Sequence, residues 1–167
     1  MRYAFILVTL LLISCKKQSI NYTQVILDNE IINTSFFESV DEPERALLSW
    51  YLYAYGNECT SESDKYKCKL LNLLKIEDEC SKEHISYLND WFFGNILIQA
   101  KLYNCPSLPF KFAIQNTIKK IILSRASDTL SITFKVKGMN TMQEKFWNIE
   151  QKEFFLIRKN TLTKINK

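Results

Sequence analysis

The stretch that most narrows the fold is Leu130 to Lys137. Leu130, Ile132, Phe134 and Val136 alternate there with Ser131, Thr133, Lys135 and Lys137, without a break. Successive strand side chains point to opposite faces, so this pattern makes a strand with one buried and one solvated face. Such a strand belongs in an antiparallel sheet whose apolar face must be covered. Upstream, Asp41-Glu42-Pro43-Glu44 opens a helix that can supply the cover. Asp41 can accept from free backbone donors, Pro43 pre-sets the first turn, and Glu44 completes a capping-box spacing. The helix is expected over Arg45–Tyr55, stopping at Gly56-Asn57. Leu47, Leu48, Trp50, Tyr51, Leu52, Ala54 and Tyr55 occupy most of its circumference, so it should pack on several sides. The dense aromatics Trp50, Tyr51, Tyr53 and Tyr55 read as core rather than as a ligand wall.

A second helix is expected over Lys65–Leu74. A third, capped by Ser81, should span Lys82–Phe93 and bury Ile85, Leu88, Trp91 and Phe92. The segment Gln24–Phe37 fits either a short helix or a strand. Gly94–Tyr103 reads as a strand or a buried extension, and Asn104–Pro109 as a turn. Further strands are expected at Thr117–Leu123, Glu144–Glu150, Phe154–Arg158 and Leu162–Ile165, with a turn at Gly138–Thr141. The fold class expected is α+β: N-terminal helices stapled by disulfides, then a C-terminal antiparallel β-meander of four to five strands. The chain divides into a signal peptide (1–14), a tether (15–23) and a single α+β domain (24–167).

Export is read from the other end of the chain. After Arg2 comes the run Ala4 to Ile13, apolar except for Thr9, and then Ser14-Cys15. A positive start, a short greasy core and a small residue before the cut make a secretory signal. Ten such residues cover about half of the ~20 that a membrane-spanning helix needs. The quartet Leu12-Ile13-Ser14-Cys15 resembles the lipobox of bacterial lipoproteins. The opening Ser14-Cys15-Lys16-Lys17 is similar to that of many Bacteroidota lipoproteins. The resemblance covers the first fifteen to seventeen residues. It implies that Cys15 is lipidated, becomes the first residue of the mature chain and holds it in the envelope. Lys16 rather than Asp follows the cysteine, which points to the outer membrane, periplasmic or surface-facing. Two or three acyl chains give stable anchoring where one gives only reversible attachment.

Removing the leader leaves Cys59, Cys68, Cys80 and Cys105, an even count in an oxidising compartment, which argues for two disulfides. Three pairings are open. The short loops closed by Cys59–Cys68 and Cys80–Cys105 favour that pair. Cys80 and His84 are four apart and could meet a metal on one helical turn, but zinc sites usually show close cysteine pairs, and the chain has a single histidine. No metal or cofactor is therefore expected, and His84 reads as an ordinary polar residue near a helix start.

Charge is unevenly placed. Lys16–Cys105 carries fourteen acidic residues against nine basic, and Pro106–Lys167 twelve basic against four acidic. Lysines on strand surfaces discourage edge-to-edge pairing and account for the basic half. Nucleic acid is not an expected partner of an exported chain without interleaved basic and aromatic motifs. The three glycines, Gly56, Gly94 and Gly138, are too dispersed for a phosphate loop or a nucleophile elbow. The carboxylate clusters Asp28/Glu30, Asp41/Glu44 and Glu77-Asp78-Glu79 read as solvated caps. No catalytic residue is nominated. The sequence thus points to a non-enzymatic binding module held to the membrane by a lipid anchor, with a protein partner. An immunity or inhibitor protein facing a periplasmic toxin or hydrolase comes first. An envelope assembly or housekeeping role is the alternative, and a small carboxylate-based hydrolase the weaker one.

Overall fold

A computed structural model describes residues 20–29, 31–55, 65–76, 78–103 and 114–166. The chain opens with strand β1 (Asn21–Asp28), the two-residue β2 (Ile31–Ile32) and a 3-10 helix (Thr34–Ser39). Four helices follow: α1 (Glu42–Tyr55), α2 (Lys65–Leu73), α3 (Lys82–Trp91) and α4 (Ile96–Leu102). The remainder is β3 (Ile114–Ala126), β4 (Thr129–Asn140), β5 (Lys145–Arg158) and β6 (Thr161–Ile165). All six strands form one antiparallel sheet in the order β2-β1-β3-β4-β5-β6.

This corrects the expected helices-first chain with a meander of four to five strands. The first described element is a strand, and after the helices the chain returns to lay β3 beside it. The signal in β1 is obscured by a bulge between Val25 and Leu27 that turns both Ile26 and Leu27 into the core. The 3-10 helix accounts for the helical spacing seen in the same segment. Gly94–Tyr103 holds a helix instead of a strand: the Asn95 side chain accepts from the Ile98 N–H at 3.2 Å and caps α4. β4 continues through Gly138 to Asn140. β5 is one strand rather than two, its polar middle Gln151-Lys152-Glu153 lying within the ladder.

The expected disulfide staples across the helices are likewise not seen between described residues. No disulfide joins two described residues, although neither Cys68 nor Cys80 is a free thiol; Cys59 and Cys105 lie outside the described residues. Among the described residues this region is joined by packing of Leu70, Leu71, Leu74 and Leu88 in the core. The fully buried Lys67 adds an ion pair to Glu79 at 2.6 Å. Ser81 caps α3 as expected, accepting from the His84 N–H at 3.1 Å.

The core sits between one face of the sheet and α1. Leu130, Ile132, Phe134 and Val136 are all buried, and their neighbours across the pleat are not. β3 reaches the same layer with Ile118, Ile121 and Leu123, which a bulge between Ile118 and Lys120 brings onto one face. α1 lies on this surface through Tyr51, whose ring is 5.4 Å from that of Phe134 and 6.4 Å from that of Phe155. Trp50 and Phe92 extend the seam, 5.9 Å apart. Edge and offset contacts of this kind add roughly 0.5–1.5 kcal/mol each beyond burial. The opposite face of the sheet carries hydroxyls and lysines. Thr23 donates to Ser124 at 3.0 Å, and Lys135 pairs with Glu150 across strands at 2.8 Å.

Gly138 is fixed by close approach. Its strand partner Trp147 lays the indole over it, where any Cβ would collide, and Trp147 Nε1 donates to Asn116 at 3.2 Å. Gly138→Ala should therefore cost about 1–3 kcal/mol in urea unfolding. In a Trp147→Leu background the same change should cost less than half as much, a coupling that a double-mutant cycle measures.

Candidate functional site

Tyr22 and Gln24 are alternate residues of β1 and share a face. The chain leaves β2 and passes back across that face, bringing Asn33, Ser35, Phe36 and Ser39 opposite it. Val40, Asp41 and Glu44 then lead into the first turn of α1. These nine residues line a solvent-open cavity of about 290 Å³. The Tyr22 and Phe36 rings meet edge to face at 6.3 Å and form its aromatic side. Asn33 donates to Gln24 at 3.4 Å and accepts from Ser35 at 2.8 Å.

Electrostatically the cavity is dominated by Glu44, which is only 1% exposed. Its Oε1 accepts from the Tyr22 hydroxyl and from Arg125 Nη1, each at 2.8 Å. Arg125, near the end of β3, also reaches Asp41 Oδ2 at 3.0 Å. Burial opposes the charge on Arg125, but Glu44 and Asp41 outweigh it and raise its pKa. Burial, reinforced by Glu44, pushes Tyr22 well above the usual phenol range, so it stays a neutral donor. Two carboxylates thus face one guanidinium. Glu44 Oε2, sealed from solvent, finds no hydrogen-bond partner among the described residues.

The structure corrects the expected solvated cap for Glu44, while Asp41 keeps an exposed side chain. Glu44 turns away from the helix start toward β1 and β3, so the capping-box spacing is used for a tertiary contact. The helix gains its first bonded turn from the Asp41 carbonyl, which accepts from the Arg45 N–H at 2.9 Å.

A second polar constellation centres on the buried Ser49 and His84. Ser49 Oγ lies 2.7 Å from His84 Nε2, and the Cys80 N–H donates to His84 Nδ1 at 3.3 Å. Since Nδ1 accepts, the neutral ring carries its proton on Nε2 and donates to Ser49. The nitrogen that would have to take the serine proton is already protonated, so this pair is not built as a nucleophile and its base. Burial, assisted by Arg45 and Lys67, lowers the His84 pKa to about 4. His84, in the first turn of α3 as expected, is therefore a core histidine. Among the described residues no three His, Cys, Asp or Glu side chains converge on a metal-sized site. A third group joins α1 to the sheet. The Tyr51 hydroxyl donates to Glu153, Lys164 pairs with Glu153 at 2.7 Å, and Tyr55 donates to Gln151 at 3.2 Å.

Of the residues singled out from sequence, Cys15, Cys59 and Cys105 lie outside the described residues. Cys68 is on α2 and Cys80 precedes α3; neither lines the cavity. Sequence reasoning missed Tyr22 and Arg125. The Tyr22/Gln24 alternation was the one local sign of the first, and nothing local marks the second. No protein-family model, curated protein or solved structure matches the chain.

Removing Arg125 strands a buried carboxylate. Arg125→Met should cost about 3–5 kcal/mol in chemical unfolding. Lys120→Met breaks a partly exposed pair to Asp28 and should cost about 1 kcal/mol or less. For His84 the folded pKa of about 4 lies below the ordinary 6.5. Between those values the unfolded chain binds the extra proton. The contribution of this site is complete above about pH 6.5 and is lost as pH falls toward about 4. Thermal unfolding of wild type and His84→Gln across this window should show a difference that shrinks with acidification.

Proposed function

We propose that this chain is a lipoprotein of the bacterial cell envelope, anchored through acyl chains on Cys15, whose folded domain binds a protein partner and catalyses no reaction. The observation that carries the anchor is the apolar leader ending in Leu12-Ile13-Ser14-Cys15. Among the described residues no helix is long and apolar enough to cross a membrane. Two features of the folded domain favour recognition over catalysis. The serine and histidine that meet are sealed in the core with the proton on the wrong nitrogen. The carboxylates that meet share a guanidinium instead of facing each other across a cleft.

Within this reading an immunity or inhibitor protein is favoured by the uneven charge of the two halves, since a basic excess suits the acidic cleft of an incoming enzyme. The basic residues gather in the sheet: Lys135, Lys137 and Lys152 stand on its open face.

Detergent partitioning of the expressed protein tests the anchor. Wild type should enter the detergent phase and incorporate labelled palmitate, and Cys15→Ser should do neither. Equal labelling of the two would refute the assignment. Crosslinked capture of the tethered protein from its native envelope should return a soluble exported enzyme or toxin; recovery of membrane assembly machinery instead would overturn the immunity reading.

A further inference from the structure

From the open edge of β5 we infer that two copies of this chain join their sheets there, antiparallel and two-fold symmetric about Ile149. The inference stands independently of the anchor and of the protein partner. It begins from the reach of the ladders. β5 pairs with β4 from Lys145 to Leu156, whereas on its other side β6 covers only Phe154 to Arg158. Among the described residues, Lys145–Glu153 therefore has no strand on that side. One hydrogen bond shows which backbone groups are left open. The Ile157 N–H donates to the Asp128 carbonyl at 2.7 Å, on the β4 side. Backbone groups alternate in direction along an antiparallel strand, and the β4–β5 register runs without a bulge. Phe146, Asn148, Glu150 and Lys152 thus aim their N–H and C=O groups away from β4, where a further strand would lie. Such a row is a template for pairing.

The side chains select the occupant. Pairing the segment with itself, centred on Ile149, opposes Lys145 to Glu153, Phe146 to Lys152, Trp147 to Gln151 and Asn148 to Glu150. Residues with open backbone groups then stand opposite one another, as a hydrogen-bonded ladder requires. The whole segment is used, and no like charges meet. Glu153, already bound by Tyr51 and Lys164, gains Lys145. Lys152 lies 5.4 Å over the Phe154 ring and gains a second ring from Phe146. Phe146 itself is 78% exposed and gains cover. The lysines that elsewhere keep sheets apart here meet a carboxylate and a ring. Moving the centre one residue toward the C-terminus opposes Glu150 to itself. Moving it one residue toward the N-terminus runs Lys152 and Glu153 past the start of β5. The segment therefore sets its own register. A two-fold contact of this kind uses the same patch on both copies and closes at a dimer.

The test is oxidative crosslinking of the full chain in detergent micelles, read on a non-reducing gel. Non-hydrogen-bonded partners stand about 4.5 Å apart at Cα, within the span that a disulfide bridges. Ile149→Cys should therefore give covalent dimer at least tenfold above wild type, whose native cysteines set the background. Phe146 is the more exposed position, but in this register its two copies are about 20 Å apart, so Phe146→Cys should stay at background. In the Ile149→Cys chain, Asn148→Pro removes an N–H that points away from β4 and leaves that ladder intact. It should lower the crosslink at least tenfold. Should the proline variant fail to fold, Phe146→Lys, at a position exposed in the single chain, sets like charges opposite one another and should lower it about tenfold. Crosslinking of Ile149→Cys no higher than that of wild type or of Phe146→Cys would overturn the inference. So would unchanged crosslinking in a folded Asn148→Pro or Phe146→Lys variant. Either result would leave the anchoring and partner-capture results untouched.

Discussion

The structure depends on one constraint: the apolar face of β3, β4 and β5 has to be shut off from water, and α1 is what shuts it. Tyr51 sits at the centre of that seam, wedged between Phe134 and Phe155 with its hydroxyl on Glu153. The tyrosine solves two problems at once. Its ring fills the space between helix and sheet, and its hydroxyl meets a carboxylate that the pleat turns inward at β5. Burial, with Glu153 next, pushes the Tyr51 pKa far above the phenol range, so the donor persists at any ordinary pH. With the helix fixed there, its first turn arrives beside Tyr22 and Arg125, and the cavity follows from the same placement.

How far this could be read from sequence varies along the chain for physical reasons. β4 was legible residue by residue, because an uninterrupted ladder keeps a period of two and the helix cover makes the inner face uniformly apolar. β1 and β3 each contain a bulge, and a bulge inserts one residue into the period. Ile26-Leu27 in β1 and Ile118 with Ile121 in β3 then violate alternation while still facing inward. β5 was split in two because Gln151 and Glu153 are polar on the inner face, where they receive Tyr55 and Tyr51. α4 is rich in β-branched and aliphatic residues, and Ile96 and Leu97 remain exposed. Burial therefore gives it no clean stripe, and the cap at Asn95 decides its state.

The cavity was illegible for a different reason. Tyr22 and Arg125 are 22 and 81 positions from Glu44. Their meeting depends on β1 pairing with β3 across the whole helical insertion, the pairing that the expected helices-first topology lacked. Sequence did place Asp41 and Glu44 in the first turn of a helix. It could not show that the turn faces a sheet, so a carboxylate with a tertiary role was indistinguishable from a cap.

The two buried polar sites of α1 differ in how fully they are satisfied. His84 has both ring nitrogens engaged, one by the Cys80 N–H and one by Ser49, and its burial keeps it neutral. Nothing there is left over for a ligand, and the site ties α3 to α1. Glu44 is equally deep but only half engaged. Each buried acceptor without a donor costs roughly 1–3 kcal/mol, more when charged, against a domain's net stability of about 5–15 kcal/mol. What the position contributes is structural: through Oε1 the carboxylate holds the Tyr22 hydroxyl and the Arg125 guanidinium together, and so ties the first turn of α1 to β1 and β3.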